Sequence, residues 1–172
     1  SNLKCYNDAT GSASVNVAGG VSPYAYQWSN GSVDSLINQL DAGNYFVQIT
    51  DANGCTQTRQ MEITQPDQLT ASANSPALIC IGQSVSLTAS AVGGTPSYNY
   101  FWSSGETVGT INPSPNITSY YSVYAVDANG CRSVPVNVVV PVNPPLMVTS
   151  VPADTICAGD FASVFVNVSG GN

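Results

Sequence analysis

Apolar and polar residues alternate along most of this chain, and the alternation predicts short β-strands. Ala13, Val15 and Val17 fall on one face of the stretch 12–17, Tyr24, Tyr26 and Trp28 on one face of 24–28, and Tyr45, Val47 and Ile49 on one face of 45–51. Side chains of an extended strand point alternately to its two sides, so each run offers one face to a core. A short apolar run at 36–40 and a run at 56–64 complete a first set of strands. The breaks fall at Gly19-Gly20, Pro23, Asn30-Gly31 and Asp41-Ala42-Gly43, residue types that turn the chain or cannot continue a strand. No stretch keeps the apolar period of a helix.

The pattern then returns. Val85, Leu87 and Ala89 align, Gly93-Gly94 and Pro96 repeat the break, and Tyr98, Tyr100 and Trp102 match Tyr24, Tyr26 and Trp28. Tyr121, Val123 and Ala125 lead into Asp127-Ala128-Asn129-Gly130-Cys131, a second copy of Asp51-Ala52-Asn53-Gly54-Cys55. Asn and Gly both tolerate positive φ, so each copy predicts a tight hairpin turn at its Asn-Gly step. The cysteines at 5, 80 and 157 open the repeats at spacings of 75 and 77 residues, and Gly170-Gly171 follows Cys157 as Gly93-Gly94 follows Cys80. Short strands between Gly, Pro and Asn turns predict an all-β chain of tandem immunoglobulin-like β-sandwich modules arranged end to end. The modules span residues 1–66, 67–143 and 144–172, the last being the first strands of an incomplete third. Trp28 and Trp102 are predicted to fill the sandwich cores rather than offer a sugar-stacking platform, and Tyr45 and Tyr121 suit the structural corner before the repeated turn.

Charge narrows the chemistry. With 3 basic and 10 acidic residues among 172, the net charge of −7 repels phosphate backbones and anionic lipid, which argues against nucleic acid and membrane-surface partners. No apolar run approaches the ~18 residues of a membrane-spanning helix, so direct membrane insertion is not expected. The chain has no His, its one Lys is Lys4, and it holds no carboxylate pair or phosphate-binding loop, so neither an enzyme nor a cofactor is predicted. Asp51 with Asn53 and Asp127 with Asn129 supply two oxygens per turn, short of the six to eight that calcium takes, and no metal is predicted. Hydrogen bonding of the Asp side chain to its own turn is the better account.

Widely spaced cysteines without His point to disulfides and an extracellular setting. Two connectivities are open. In a seven-strand immunoglobulin order the two cysteines of one module sit at opposite poles, a strand of ~23 Å apart, against the ~7 Å that a bridge allows. Cys5 with Cys131 would then be the neighbours. Six residues separate Trp28 from Ser35, however, which leaves little room for a further strand. A six-strand module returns its cysteines to one pole, so Cys5 with Cys55 and Cys80 with Cys131 are favoured, with Cys157 unpaired in this chain.

The run from Gly19-Gly20 through Pro23-Tyr24-x-Tyr26-x-Trp28-Ser29-Asn30-Gly31, Leu40-x-Ala42-Gly43-x-Tyr45-x-Val47 and Asp51 to Cys55, closing on Thr64-Gln65-Pro66, resembles the SprB repeat. Residues 69–140, with Cys80-x-Gly82-x-Ser84-Val85-x-Leu87-Thr88 and Tyr98-x-Tyr100-x-Trp102, are similar to the PKD-like and immunoglobulin-like modules of the same proteins, although Ser-Asn-Gly and Ser-Ser-Gly stand where PKD modules have Gly-Asp-Gly. The resemblance implies a repeat segment, a stalk or filament, of a large cell-surface adhesin of gliding motility, exported by type IX secretion and holding a distal adhesive region away from the cell. Its implied partners are neighbouring repeat modules, the secretion and gliding machinery, and a surface polysaccharide as a candidate ligand. A carbohydrate- or surface-binding module, or accessory repeats of a large secreted enzyme, are the alternatives. Proteins of this secretion class carry O-glycans at Asp followed by Ser or Thr and an aliphatic residue, which makes Ser35 and Thr155 candidate sites.

Overall fold

The structure, a computed structural model, describes residues 1–150, 157–159, 161, 163 and 165–170. Among them are thirteen β-strands and no helix. The chain packs into two compact units. One comprises Ser1–Thr70, Ala91–Tyr98 and Ala125–Val134; the other comprises Ala71–Ser90, Asn99–Tyr124 and the described residues from Pro135 onward.

In the first unit β1 (Gly11–Ser14) pairs with β3 (Leu36–Leu40), and β2 (Ala25–Trp28), β4 (Gly43–Thr50) and β5 (Thr56–Ile63) form a second sheet in the order β2-β4-β5. All these pairs are antiparallel, with Trp28 opposite Val47 and Val47 opposite Arg59. The register sets Trp28, Val47 and Ile49 inward beside Ile63 of the same sheet, Ala13, Ile37 and Leu40 come from the β1-β3 pair, and Leu3 completes the core. Val15, Val17, Tyr24, Tyr26 and Tyr45 pack partly buried against it, so the inward faces predicted from alternation are the faces that pack.

A second pair of sheets repeats the plan. A sheet in the order β6-β7-β9 joins Thr70–Ala73 (β6), Leu87–Val92 (β7) and Thr110–Ile111 (β9), and a sheet in the order β11-β10-β8 joins Asn99–Trp102 (β8), Ser119–Val126 (β10) and Val136–Val140 (β11). Its core gathers Ile79, Leu87, Ala89, Trp102, Ile111, Val123, Val138 and Val140. Strands β12 (Met147–Ser150) and β13 (Val166–Ser169) pair antiparallel as a separate ribbon, with Val148 opposite Val168.

Each tryptophan is locked by one local device used twice. The Trp28 indole N–H donates to the Asp34 carbonyl at 2.7 Å and its backbone N–H to Ser32, while Trp102 donates to Val108 at 2.9 Å and to Glu106. Ser29 and Ser103, one residue on, accept the backbone N–H groups of Phe46 and Ser122 through their hydroxyls. Trp28 is 2% exposed and Trp102 5%. An indole buried this deeply with its only donor satisfied stabilises the core and presents no ring face on which a sugar could stack.

Candidate functional site

The repeated five-residue turn is the most elaborate polar site of each repeat, and Asp builds it. In the second copy Asp127, 3% exposed, accepts the backbone N–H groups of Asn129 and Cys131 on Oδ1, both at 2.9 Å, and that of Thr95 on Oδ2 at 2.8 Å. Asp127 N–H donates to the Cys131 carbonyl and Gly130 N–H to that of Asp127. In the first copy Asp51 Oδ1 accepts from Asn53 at 3.0 Å and Cys55 at 2.9 Å, and Oδ2 accepts from Val21 at 3.0 Å. Only Gly54 (φ 82°) and Gly130 (φ 85°) lie at positive φ, which corrects the prediction that Asn shares that conformation. The reason is the carboxylate. By gathering the N–H groups two and four residues on, it fixes a three-residue loop that needs one left-handed residue at its third position.

Both oxygens of each carboxylate are thus spent on backbone donors. Among the described residues no group of three His, Cys, Asp or Glu side chains stands close enough to hold a metal ion.

The Gly-Gly break of each repeat lies against its turn. Ala52 N–H donates to the Val21 carbonyl and Ala128 N–H to that of Thr95. A Cβ on Gly94 would stand 2.5 Å from Asp127 Oδ2, and one on Gly20 3.1 Å from Asp51 Oδ2. The tyrosines after these breaks reach back to them, Tyr24 to the Gly19 carbonyl at 2.9 Å and Tyr98 to the Gly93 carbonyl at 2.8 Å.

The backbone N–H groups hold the Asp51 carboxyl below its ordinary 3.8, that of Cys55 chiefly and then that of Val21; burial pushes the other way, and the Asn53 N–H adds a smaller lowering. A folded-state value below the unfolded one makes the ionised carboxylate stabilising above pH 3.8, and that contribution disappears as pH falls through the folded value. An NMR titration should therefore place the Asp51 midpoint below 3.8, and the stability gap between the parent chain and Asp51→Asn should close as the solution is acidified through that range. A midpoint at or above 3.8 contradicts this account.

The second turn is covalently engaged. Cys5 is bonded to Cys131 with Cα atoms 5.6 Å apart, 126 positions distant in sequence, and Cys55, Cys80 and Cys157 are exposed thiols. This replaces the favoured pairings of Cys5 with Cys55 and Cys80 with Cys131. The physical reason lies at the N-terminus, which is strapped to the far end of β5. Leu3 N–H donates to the Thr64 carbonyl and Asn7 N–H to Gln65 Oε1, beyond the last residue of that strand, whereas Cys55 precedes its first. The eight residues of β5 hold the two apart by about 27 Å. In the second repeat Ile79 N–H likewise bonds the Pro141 carbonyl beyond the end of β11, a strand that follows Cys131 in sequence. Fewer strands in a module do not bring its cysteines together, because the strap runs to the opposite end.

Around the bond, the Asn129 side-chain amide donates to the Lys4 carbonyl at 3.1 Å and to Thr95 Oγ1 at 2.9 Å. Cys5, Tyr6, Gln68, Leu69 and Gly94 line the groove beside Cys131, which is itself 8% exposed. No periodicity marks this seat in the sequence. The shared five-residue motif points to it, as does the seven-strand order that makes Cys5 and Cys131 neighbours.

The remaining predicted residues are plainly placed. Tyr45 and Tyr121 are half-buried against their cores, and the Tyr45 hydroxyl donates to the Asp41 carbonyl at 3.1 Å, a bond with no counterpart at Tyr121 among the described residues. Ser35 is exposed at the entry to β3. Thr155 lies outside the described residues.

The SprB repeat family model matches residues 1–33. No curated protein matches the sequence. Among solved structures, the chain is similar to the fibronectin(III)-like modules of Clostridium thermocellum CbhA, at 16% identity and a TM-score of 0.37 over 76% of this chain and 83% of that one. It is also similar to the amphioxus IgVJ-C2 molecule, at 13% identity and a TM-score of 0.37 over 80% and 99%. Similarity at this level bears on neither ligand nor partner.

Proposed function

From the SprB repeat at the N-terminus, we propose that this chain is a structural segment of a large secreted cell-surface adhesin, a stalk that holds a distal adhesive region away from the cell. Export by type IX secretion and a part in gliding motility belong to the same reading, as do module boundaries at 66 and 143. The observation that carries it is the Cys5–Cys131 bond, which spends the most elaborate polar site of the repeat on cohesion. The tryptophans, the corner at Tyr45 and the carboxylates of the Asp-centred turns likewise serve the architecture. A stalk needs little else.

The competing reading is a polysaccharide-binding module. Chain immobilised at high density should retain soluble and insoluble polysaccharides no better than a bare surface. Saturable retention by residues 1–172 would replace the stalk with a binding module.

A further inference from the structure

Cys5, Cys80 and Cys157 open the same turn. Asn7 (φ 55°), Gly82 (φ 71°) and Gly159 (φ 101°) stand two residues after them at positive φ, and the residue three positions after Cys5 and after Cys80 donates its N–H back to the cysteine carbonyl. Cys55 and Cys131 close the same Asp-centred turn. The structure therefore holds cysteines of two kinds, and the bond it contains joins one kind to the other across successive repeats.

Two independent observations mark the first turn as unfilled. Asn53 is exposed and its side-chain amide has no partner among the described residues, whereas Asn129 in the same position grips the carbonyl of Lys4, the residue before the bonded cysteine. The first glycine of each Gly-Gly break tells the same story. A Cβ on Gly93 would stand 2.0 Å from the Gln68 carbonyl oxygen and one on Gly170 2.1 Å from that of Pro145, so the incoming linker rests on both glycines. Nothing lies within 4 Å of the corresponding point on Gly19. Beside it runs an open groove lined by Val17, Gly19, Tyr24, Asp51, Cys55 and Gln57.

We propose that this end of the first module, with Gly19, Asn53 and Cys55 at its centre, is a socket for the linker and cysteine loop of another module of the same type, closed by a disulfide to Cys55. The partner is recognised by a cysteine opening a left-handed turn, whose preceding carbonyl accepts from the Asn53 amide as Lys4 does from Asn129. In the oxidation two thiols lose two protons and two electrons to a disulfide-carrying oxidoreductase, and one S–S bond forms. The inference deepens the stalk reading and rests on it for the kind of partner.

The test isolates Cys55 by the double substitution Cys80→Ala and Cys157→Ala, both exposed positions. The probe is a synthetic peptide of residues 77–86, its cysteine held as a mixed disulfide with thionitrobenzoate. Attack by the Cys55 thiolate on the peptide sulfur forms the new S–S bond, and the displaced thionitrobenzoate thiolate leaves with the bonding pair and is read by its absorbance. The peptide should react about tenfold or more faster than a scrambled peptide with the same leaving group, because it reacts from a seated position. Asn53→Ala, which removes one hydrogen bond, should slow it about fivefold without changing the scrambled rate. A peptide carrying Gly82→Ala should be slower as well, since its turn needs positive φ. Equal rates for native and scrambled peptides, or indifference to Asn53→Ala, overturn the socket. A chain that retains polysaccharide yet discriminates the peptides would lose the stalk and keep the socket.

Discussion

Reducing the Cys5–Cys131 bond is expected to lengthen the chain, pulled by its two ends to full extension, by about 440 Å in one step, taking ~3.5 Å for each of the 126 positions released. While the bond is intact, tension enters at Ser1, crosses from Cys5 to Cys131 and leaves through the C-terminal segment. Most of each core described above lies within the bypassed stretch and feels no pull along the backbone, whereas Leu3 of the first core and Val138 and Val140 of the second lie on the loaded segments. Within-module pairing predicts something different, two steps of about 175 Å each, since those bonds would enclose 50 and 51 positions. Single-molecule extension in the presence and absence of reductant separates the outcomes, and Cys131→Ser should behave like the reduced chain. On the chain-entropy estimate a loop of this size also stabilises by about 5 kcal/mol. Chemical denaturation of Cys131→Ser should therefore show the largest stability loss of any single substitution at the site. A variant as stable as the parent would mean that the bond constrains little.

Gly93→Ala should destabilise the chain by at least about 3 kcal/mol, while Gly19→Ala should cost only about 1 kcal/mol. The two glycines occupy equivalent positions with nearly equal φ, 78° and 82°, so the intrinsic penalty of placing an alanine there is shared. What differs is the neighbour. At Gly93 the new methyl would meet the Gln68 carbonyl oxygen at 2.0 Å, a backbone atom that cannot turn aside as a side chain could, and the adjoining Gly94 N–H bond to Asp67 would be strained with it. At Gly19 the methyl enters open space. Thermal or denaturant unfolding of the two variants measures the difference directly. Equal losses would show that the linker does not rest on Gly93.

Much of the fold could be read from residue types, because the devices that specify it are local. The period of two in Tyr45, Val47 and Ile49 decides which side of β4 faces inward, and burial follows it. Trp28 and Trp102 repeat with their following serines, so their shared core role was visible from the recurrence alone. The connectivity of the cysteines was not, because it depends on which end of β5 the N-terminal strap meets. That is settled by hydrogen bonds from Leu3 to Thr64 and from Asn7 to Gln65, and such a choice leaves no periodic trace. The turn was half legible. Gly54 and Gly130 take the left-handed conformation that Asn-Gly suggested, but the Asp carboxylate four residues before each cysteine determines the loop length, and propensity rules for the central pair do not weigh it. In the sequence the Gly-Gly pairs read as breaks between strands. Their second task, offering a bare backbone for a linker carbonyl to approach, becomes visible only when Gln68 and Pro145 are found upon them.

A ring closed over most of a chain also changes what damage does. A single backbone nick anywhere between Tyr6 and Gly130 leaves both fragments joined through sulfur, so the strand is interrupted but the tether is not. Were each repeat clasped to the next in this manner, successive rings would overlap, and parting the fibre would take at least two lesions within the same ring.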